Sequence, residues 1–207
     1  MKKKIIAIEG NIGAGKTSMA KKIASQLDAF LILESFEANP FLEKFYSDKE
    51  KFALDTEMWF LKARENIFLK TEIEKVNNQI IVSDYVIEKS YWFAKKNLNK
   101  TDFLIFENEF EKIVNKTAFI DLLIVLHHPV EILVKNINAR GREYEKNINE
   151  EYLRKLNDVY LSFGSCKKIK KTINIHFSKA NEKSYSDAFD IITSFIDQDN
   201  FPEVYYL

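Results

Sequence analysis

The chain has 207 residues, which is enough for one domain with a substantial hydrophobic core. Lysine plus arginine and aspartate plus glutamate balance at 31 each, so charge gives no support for a nucleic acid or an anionic membrane as a partner. The single cysteine, Cys166, excludes an intrachain disulfide and a thiolate metal cage. The first apolar stretch runs into Glu9 and is too short for a signal peptide, and no apolar run reaches the ~20 residues of a membrane span, so we expect a cytoplasmic protein.

Five short apolar runs, separated by segments of helical periodicity, are interpreted as buried strands. They are Lys4–Glu9, Phe30–Glu34, Gln79–Asp84, Asp121–His127 and Thr172–Phe177. Runs rich in Ile, Val and Leu are typical of a parallel sheet that helices cover on both faces. The alternation of strand and helix along the whole length predicts a single three-layer α/β domain over residues 1–207, with a five-stranded parallel sheet.

A glycine-rich segment between the first strand and the first helix matches the phosphate-binding pattern G-x-x-x-x-G-K-[ST]. Its glycines let backbone N–H groups approach phosphate oxygens, and the helix N-terminus adds its positive end. Lys16 can reach the β- and γ-phosphates, and the Thr17 hydroxyl can bind Mg²⁺. The predicted ATP-phosphate-binding residues are Gly10, Asn11, Ile12, Gly13, Ala14, Gly15, Lys16, Thr17 and Ser18.

The tetrapeptide Asn99–Asp102 matches the N-K-x-D pattern with which GTPases read guanine. In those proteins it ends a buried strand, whereas here it follows an amphipathic helical pattern that closes at Leu98. The D-x-x-G element is also missing, because neither Gly141 nor Gly164 has Asp three residues before it. We therefore reject the GTPase interpretation.

Four further motifs lie downstream of the glycine-rich segment. The second and third predicted strands close in the acids Glu34 and Asp84, at the edge where parallel α/β sheets bind ligands. A helical pattern over 51–69 places Glu57, Leu61, Arg64 and Phe68 on one face, and Tyr46 precedes it. The segment 140–145, Arg-Gly-Arg-Glu-Tyr-Glu, is typical of a mobile lid whose guanidinium groups neutralise phosphoryl charge.

Together these motifs resemble the deoxynucleoside kinase family over about Lys4 to Phe163, and they are most similar to its bacterial deoxyguanosine and deoxyadenosine kinase branch. The resemblance implies the P-loop nucleoside kinase fold and transfer of the ATP γ-phosphoryl group to a deoxynucleoside 5′-hydroxyl. It also implies Mg²⁺ as cofactor, a lid at about 136–148 and a homodimer formed by a helical bundle. The partners expected are therefore ATP, a small deoxynucleoside and a second copy of the chain.

The resemblance assigns roles to the downstream motifs. Glu34 is the general base for the 5′-hydroxyl, with Glu37 as a nearby competitor, and Tyr46 and Glu145 contact the sugar 3′-hydroxyl. The predicted catalytic residues are Glu34, Lys16, Arg140 and Arg142. The predicted nucleoside-binding residues are Glu34, Tyr46, Glu57, Arg64, Asp84, Lys89 and Glu145.

Two positions depart from the family pattern. Mg²⁺ is assigned to Thr17 and Asp84, but the residue after that acid is Tyr85 where family members commonly have Arg, and Lys89 is a candidate for the missing charge. Position 57 usually carries Gln to read the base, whereas Glu57 in its ionised form only accepts hydrogen bonds. That complements guanine, so we predict that deoxyguanosine is favoured. The alternative specificity is that of a deoxyadenosine kinase or a broad-specificity deoxynucleoside kinase. The alternative role for Glu57 is that of an exposed side chain that pairs with Lys62 or Lys70.

Two other functions remain open on the sequence alone. A nucleoside monophosphate kinase such as thymidylate kinase shares the fold and the glycine-rich loop. A non-catalytic nucleotide-binding regulator would keep the loop and lack a base and a lid. His127, His128 and His176 are interpreted as structural residues, because adjacent side chains on a strand point to opposite faces.

Overall fold

The structure is a computed structural model, and it describes residues 3–35, 38–145, 148–161, 168–179, 181–196 and 204–207. Its centre is a six-stranded parallel sheet with strand order β2-β3-β1-β4-β5-β6. The strands are β1 (Lys4–Gly10), β2 (Phe30–Ile32), β3 (Ile80–Ser83), β4 (Leu122–His127), β5 (Thr172–His176) and β6 (Val204–Tyr206).

Helices pack on both faces of this sheet. They are α1 (Lys16–Gln26), α2 (Leu42–Ser47), α3 (Lys49–Phe68), α4 (Lys70–Lys75), α5 (Glu88–Asn97), α6 (Lys100–Val114), α7 (Val130–Arg140), α8 (Glu150–Tyr160) and α9 (Glu182–Phe195). Because side chains alternate along a strand, Ile6 and Ile8 of β1 enter the core that contains α1, α7 and α9, while Ile5 and Ala7 enter the opposite core. The predicted three-layer α/β fold is confirmed.

The sequence predicts five strands, whereas the described part of the chain contains six. The additional strand β6 pairs with β5 through the register Ile175↔Tyr205. It is a three-residue edge strand that is only partly buried. Such a segment is too short to show a buried apolar run, so the sequence pattern gave no signal for it.

The second and third strands end one or two residues earlier than predicted. β2 is an edge strand that pairs only with β3, and the last pair is Ile32↔Ser83. The Asp84 N–H still donates to the Ile32 carbonyl at 3.2 Å, and the chain leaves the sheet beyond that point. Glu34 and Asp84 therefore lie side by side in the loops at the carboxyl edge of the sheet.

The segment that resembles a guanine-reading motif begins a helix. Asn99 is the N-cap of α6, and its side chain accepts hydrogen bonds from the Thr101 and Asp102 N–H groups, both at 3.0 Å. An N-cap explains the Asn at this position, so the GTPase interpretation stays rejected. None of the helices in the described ranges has both the length and the apolar character needed to cross a bilayer.

Candidate active site

The loop between β1 and α1 packs so closely that glycine is required at two positions. Gly10 and Gly13 adopt φ values of 153° and 83°. A Cβ atom would lie 2.6 Å from the Leu126 carbonyl oxygen at Gly10 and 2.8 Å from the Leu133 carbonyl oxygen at Gly13. The loop therefore rests directly on β4 and α7, and any side chain at either position would displace it.

Three asparagines fix this loop to the helices behind it. The buried Asn11 side chain donates to the Leu153 carbonyl at 2.8 Å and to Asn157 Oδ1 at 2.7 Å, both on α8. Asn136 of α7 donates to the Gly13 carbonyl at 2.8 Å. Asn11 was predicted to bind phosphate, and its side chain points away from the loop opening, so its backbone is the part available for that role.

Lys16 lies at the start of α1 with its side chain folded over the loop. Its Nζ donates to the carbonyls of Gly10 at 2.8 Å and Asn11 at 3.0 Å. Burial, together with the neighbouring Lys89 charge, lowers the pKa of Lys16 to about 8. A phosphate group would reverse this effect, because an anion next to the ammonium group favours its charged form.

Thr17 and Asp84 come together as predicted for a metal site. The Thr17 hydroxyl donates to Asp84 Oδ2, and Asp84 Oδ1 accepts from the Glu34 N–H at 2.8 Å. A hydroxyl and a carboxylate are oxygen donors that Mg²⁺ prefers, and Mg²⁺ usually takes only one or two protein ligands beside substrate phosphates. This donor set fits Mg²⁺.

Glu34 is held between two cations at the centre of the site. Arg64 Nε donates to Oε1 at 2.9 Å, the Arg64 NH2 group donates to the same oxygen, and Lys89 Nζ donates to Oε2 at 2.9 Å. The exposed fractions of the three side chains are 13% for Glu34, 5% for Arg64 and 9% for Lys89. Burial by itself would raise the pKa of Glu34, but the two charges outweigh it and hold that pKa well below its usual range.

Tyr85 does not take the place of the arginine that family members commonly have. Its side chain is buried, and its ring meets Phe68 edge-on at 5.2 Å between centroids. The cations near Glu34 are Lys89, the candidate for the missing charge, and Arg64, whose remaining nitrogen donates to the Ser90 hydroxyl. Ser90 was missed by the sequence analysis, because it becomes a partner only when α3 and α5 pack together.

Glu57 is buried on the same face of α3 as Leu61, Arg64 and Phe68, as predicted. Its Oε1 accepts a hydrogen bond from Asn97 Nδ2 at 2.7 Å. The alternative of an exposed Glu57 that pairs with Lys62 is therefore wrong. Burial raises the pKa of Glu57 to about 7, which corrects the premise that this group is fully ionised at neutral pH.

Both arginines of the predicted lid bind Glu145, the acid predicted to contact the sugar 3′-hydroxyl. α7 ends at Arg140, Gly141 follows with φ 69°, and a short 3₁₀ helix covers Glu143–Glu145. Glu145 is buried and accepts from Arg140 at 2.6 Å and from Arg142 at 3.4 Å. Residues 146 and 147 of the predicted lid and the competitor Glu37 lie outside the described residues.

Two clefts open on either side of Glu34. The far wall of the inner cleft contains Tyr46, Glu57, Phe93, Asn97 and Tyr152. The P-loop cleft lies over the glycine-rich loop and the start of α1. Both clefts are lined by the same set of residues where they meet, namely Gly13, Lys16, Thr17, Glu34, Asp84, Arg140 and Arg142. Every predicted catalytic residue thus lies at the junction of the two clefts.

The histidines make packing contacts. His127 stacks on His176 with ring centroids 4.4 Å apart, and its Nε2 is 2.9 Å from Asn174 Oδ1. His128 stacks on Phe177 at 4.3 Å. Within the described ranges no group of three or more His, Cys, Asp or Glu side chains could hold a metal ion.

A glycine-rich loop between a parallel strand and a helix, with an adjacent Thr–Asp pair, defines a P-loop phosphotransferase. The sequence model of the deoxynucleoside kinase family matches residues 6–198. The chain therefore belongs to the deoxynucleoside kinase family, and it is an ATP-dependent kinase.

The curated relatives to which the chain is similar are named as deoxynucleoside kinases. The chain is 28% identical over 204 residues to the deoxyadenosine/deoxycytidine kinase of Bacillus subtilis, with 94% of each chain covered. It is 31% identical over 156 residues to the deoxyguanosine kinase of the same organism, with 75% of each covered. Among solved structures, deoxyadenosine kinase from M. mycoides with bound dATP is 24% identical with a TM-score of 0.75, covering 92% of this chain and 99% of that chain. The structural similarity establishes the shared fold.

The ion pairs of Glu34 predict a large stability effect. Glu34→Gln would leave the buried Arg64 and Lys89 charges uncompensated, and we expect the free energy of unfolding at pH 7 to fall by about 3–5 kcal/mol. The folded pKa of Glu34 lies below its unfolded value of about 4.3, so this contribution is present above that pH and is lost in acid. Urea denaturation at pH 7 and at pH 3 measures both effects.

The matched control is Glu109→Gln, which removes a surface carboxylate, 31% exposed, that pairs with the exposed side chains of Lys62 and Lys112. Exposed ion pairs contribute little, so this variant should unfold like the parent. Equal stability of the two variants at pH 7 would contradict the assignment of Glu34 to a buried charge cluster.

Proposed function

We propose that the chain transfers the γ-phosphoryl group of ATP to the 5′-hydroxyl of a purine deoxynucleoside, with deoxyguanosine favoured. The observation that carries this proposal is the position of Glu34, whose carboxylate lies where the inner cleft and the P-loop cleft meet. ATP phosphates would occupy the P-loop cleft and the nucleoside the inner cleft. A sugar alcohol beside Glu34 would then face the terminal phosphorus.

The reaction would proceed by in-line attack. The 5′-oxygen forms a bond to the γ-phosphorus, the bond from that phosphorus to the β,γ-bridging oxygen breaks, and ADP leaves. Glu34 accepts the hydroxyl proton, while Lys16, Arg140 and Arg142 neutralise charge on the transferring group. Mg²⁺ bound at Thr17 and Asp84 would neutralise further phosphate charge.

The depressed pKa of Glu34 makes it a weak base. Such a group accepts a hydrogen bond from the hydroxyl in the ground state and takes the proton only late in the reaction. This timing suits a loose transition state, in which the attacking oxygen forms little bond before the leaving group departs. Glu34 therefore contributes through orientation as well as proton transfer.

The inner cleft favours a deoxynucleoside over a nucleoside monophosphate. Glu145 and Tyr46 both line its wall, and Glu34 and Asp84 line it where it meets the P-loop cleft. Four acidic or phenolic groups suit sugar hydroxyls, which can donate to them. The cations nearest the 5′ position, Arg64 and Lys89, are already bound to Glu34. The relatives from B. subtilis carry the names of nucleoside kinases.

Glu57 supports the choice of base. Two carboxylate oxygens complement the N1–H and 2-amino groups of guanine, whereas adenine pairs an amino group with a ring acceptor. A mismatched buried acceptor costs about 1–3 kcal/mol, which is enough to set a preference. The ionised form of Glu57 thus favours deoxyguanosine.

The acceptor test compares deoxyguanosine with its 5′-monophosphate, with ATP as donor and ADP release as the readout. We expect the nucleoside to be phosphorylated and the monophosphate to be inert. Glu34→Gln should retain ATP binding and lose about 10²–10⁴-fold in kcat, because proton acceptance is removed. The variant is assayed at a temperature where it is folded. Turnover with the monophosphate alone would support a nucleoside monophosphate kinase, and ATP binding without any turnover would support a regulator.

We also propose that the chain forms a homodimer in the cytoplasm, where ATP is available. Support for the dimer comes from α6, on which Leu104 and Ile105 are 57% and 51% exposed. Adjacent exposed apolar side chains on one helix are typical of an interface.

The dimer is tested by Leu104→Glu, which places a charge in the proposed interface. We expect a shift from dimer to monomer in analytical ultracentrifugation. Leu161→Glu is the control, because Leu161 is 66% exposed at the end of α8 and lies outside the proposed surface. A parent chain that sediments as a monomer would contradict the proposal.

A further inference from the structure

Glu57 is buried beside two cations, yet it has no direct ion pair with either of them. Arg64 uses its nitrogens on Glu34 and on the Ser90 hydroxyl, and Lys89 donates to Glu34. Both positive charges are therefore committed to another carboxylate. Nothing in this arrangement fixes Glu57 in its ionised form.

The direct partner of Glu57 is a neutral amide. Asn97 at the end of α5 donates from Nδ2 to Glu57 Oε1 at 2.7 Å and lies 3.4 Å from the Tyr152 hydroxyl. A primary amide carries a donor and an acceptor on one planar group. A neutral carboxyl group has one O–H and still accepts through its carbonyl oxygen, so Asn97 Nδ2 can keep donating to a protonated Glu57 while the O–H stays available for a ligand. Asn97 can therefore partner either form of the carboxyl group.

We propose that Glu57 reads the base in two protonation states and that Asn97 is the positioning residue that accommodates both. This inference rests on the proposed function. The ionised carboxylate accepts from the N1–H and 2-amino groups of guanine. The neutral carboxyl group donates to N1 of adenine and accepts from its 6-amino group. The same residue thus selects deoxyguanosine in one state and deoxyadenosine in the other.

The groups around Glu57 place both states within reach near neutral pH. Burial favours the neutral form most strongly, and the hydrogen bond from Asn97 opposes it. Arg64 of α3 and Lys89 of α5 also favour the ionised form, whereas Glu34 after β2 disfavours it. Tyr152 of α8 faces the same space, and burial raises the pKa of its hydroxyl, so it stays neutral.

The experiment measures kcat/KM for deoxyguanosine and for deoxyadenosine between pH 6 and pH 8.5. The quantity of interest is kcat/KM for deoxyguanosine divided by kcat/KM for deoxyadenosine. Titration of Lys16, Glu34 or ATP affects both substrates, so its effect cancels in this ratio. If one substrate needs ionised Glu57 and the other needs neutral Glu57, the ratio rises with pH by up to about tenfold per unit. A ratio that is constant over this range would overturn the inference.

Two variants separate recognition of the base by Glu57 from general structural effects of a substitution. Glu57→Gln fixes one donor and one acceptor, so it should favour deoxyadenosine with a ratio that does not change with pH. Asn97→Ala removes the donor that stabilises the carboxylate, which raises the pKa of Glu57 and lowers the ratio at every pH while its slope remains. If Asn97 had only a structural role, both substrates would lose activity alike. The control Asn99→Ala removes the nearby cap of α6 and should leave the ratio unchanged.

The outcomes also separate this inference from the proposed function. If neither nucleoside is phosphorylated at any pH, the proposed function fails and the inference fails with it. If both are phosphorylated with a flat ratio, only the two-state reading fails. A pH-dependent ratio that persists in Glu57→Gln would likewise contradict it, because the titrating group would then be another residue.

Discussion

The site depends on one electrostatic constraint, the burial of the Glu34 carboxylate between Arg64 and Lys89. The acid follows β2, and the two cations come from α3 and α5, so this cluster ties both helices to the carboxyl edge of the sheet. Removing the carboxylate would leave both cations uncompensated out of water. The cluster keeps Glu34 ionised and fixes the direction in which its oxygens point.

Hydrogen bonds through Glu34 and Asp84 connect the two clefts. The Glu34 N–H donates to Asp84, and Asp84 accepts from Thr17 at the start of α1. A continuous polar chain thus joins the glycine-rich loop to the acid and the acid to the helices of the inner cleft. The buried Glu57 extends this region toward the base and is held by an amide instead of a cation.

Much of the site could be predicted from the sequence, because its strongest signals are local. The glycine-rich loop is a contiguous pattern, the acids Glu34 and Asp84 follow from the strand-edge rule, and one face of α3 follows from helical spacing. The partners Asn97 and Ser90 could not be found in this way, since they join the site only when α5 packs against α3. The protonation of Glu57 depends on how much water its surroundings exclude, which residue spacing does not encode. The edge strand β6 was not predicted because three residues are too few to show the apolar run of a buried strand.

The most direct test of the account is a crystal structure of the chain with deoxyguanosine and a non-hydrolysable ATP analogue. The account predicts a distance of about 2.6–3.2 Å between a Glu34 carboxylate oxygen and the 5′-oxygen, with the sugar between Tyr46 and Glu145. It would be contradicted if the nucleoside lay outside the inner cleft while Glu34 remained bound to both Arg64 and Lys89.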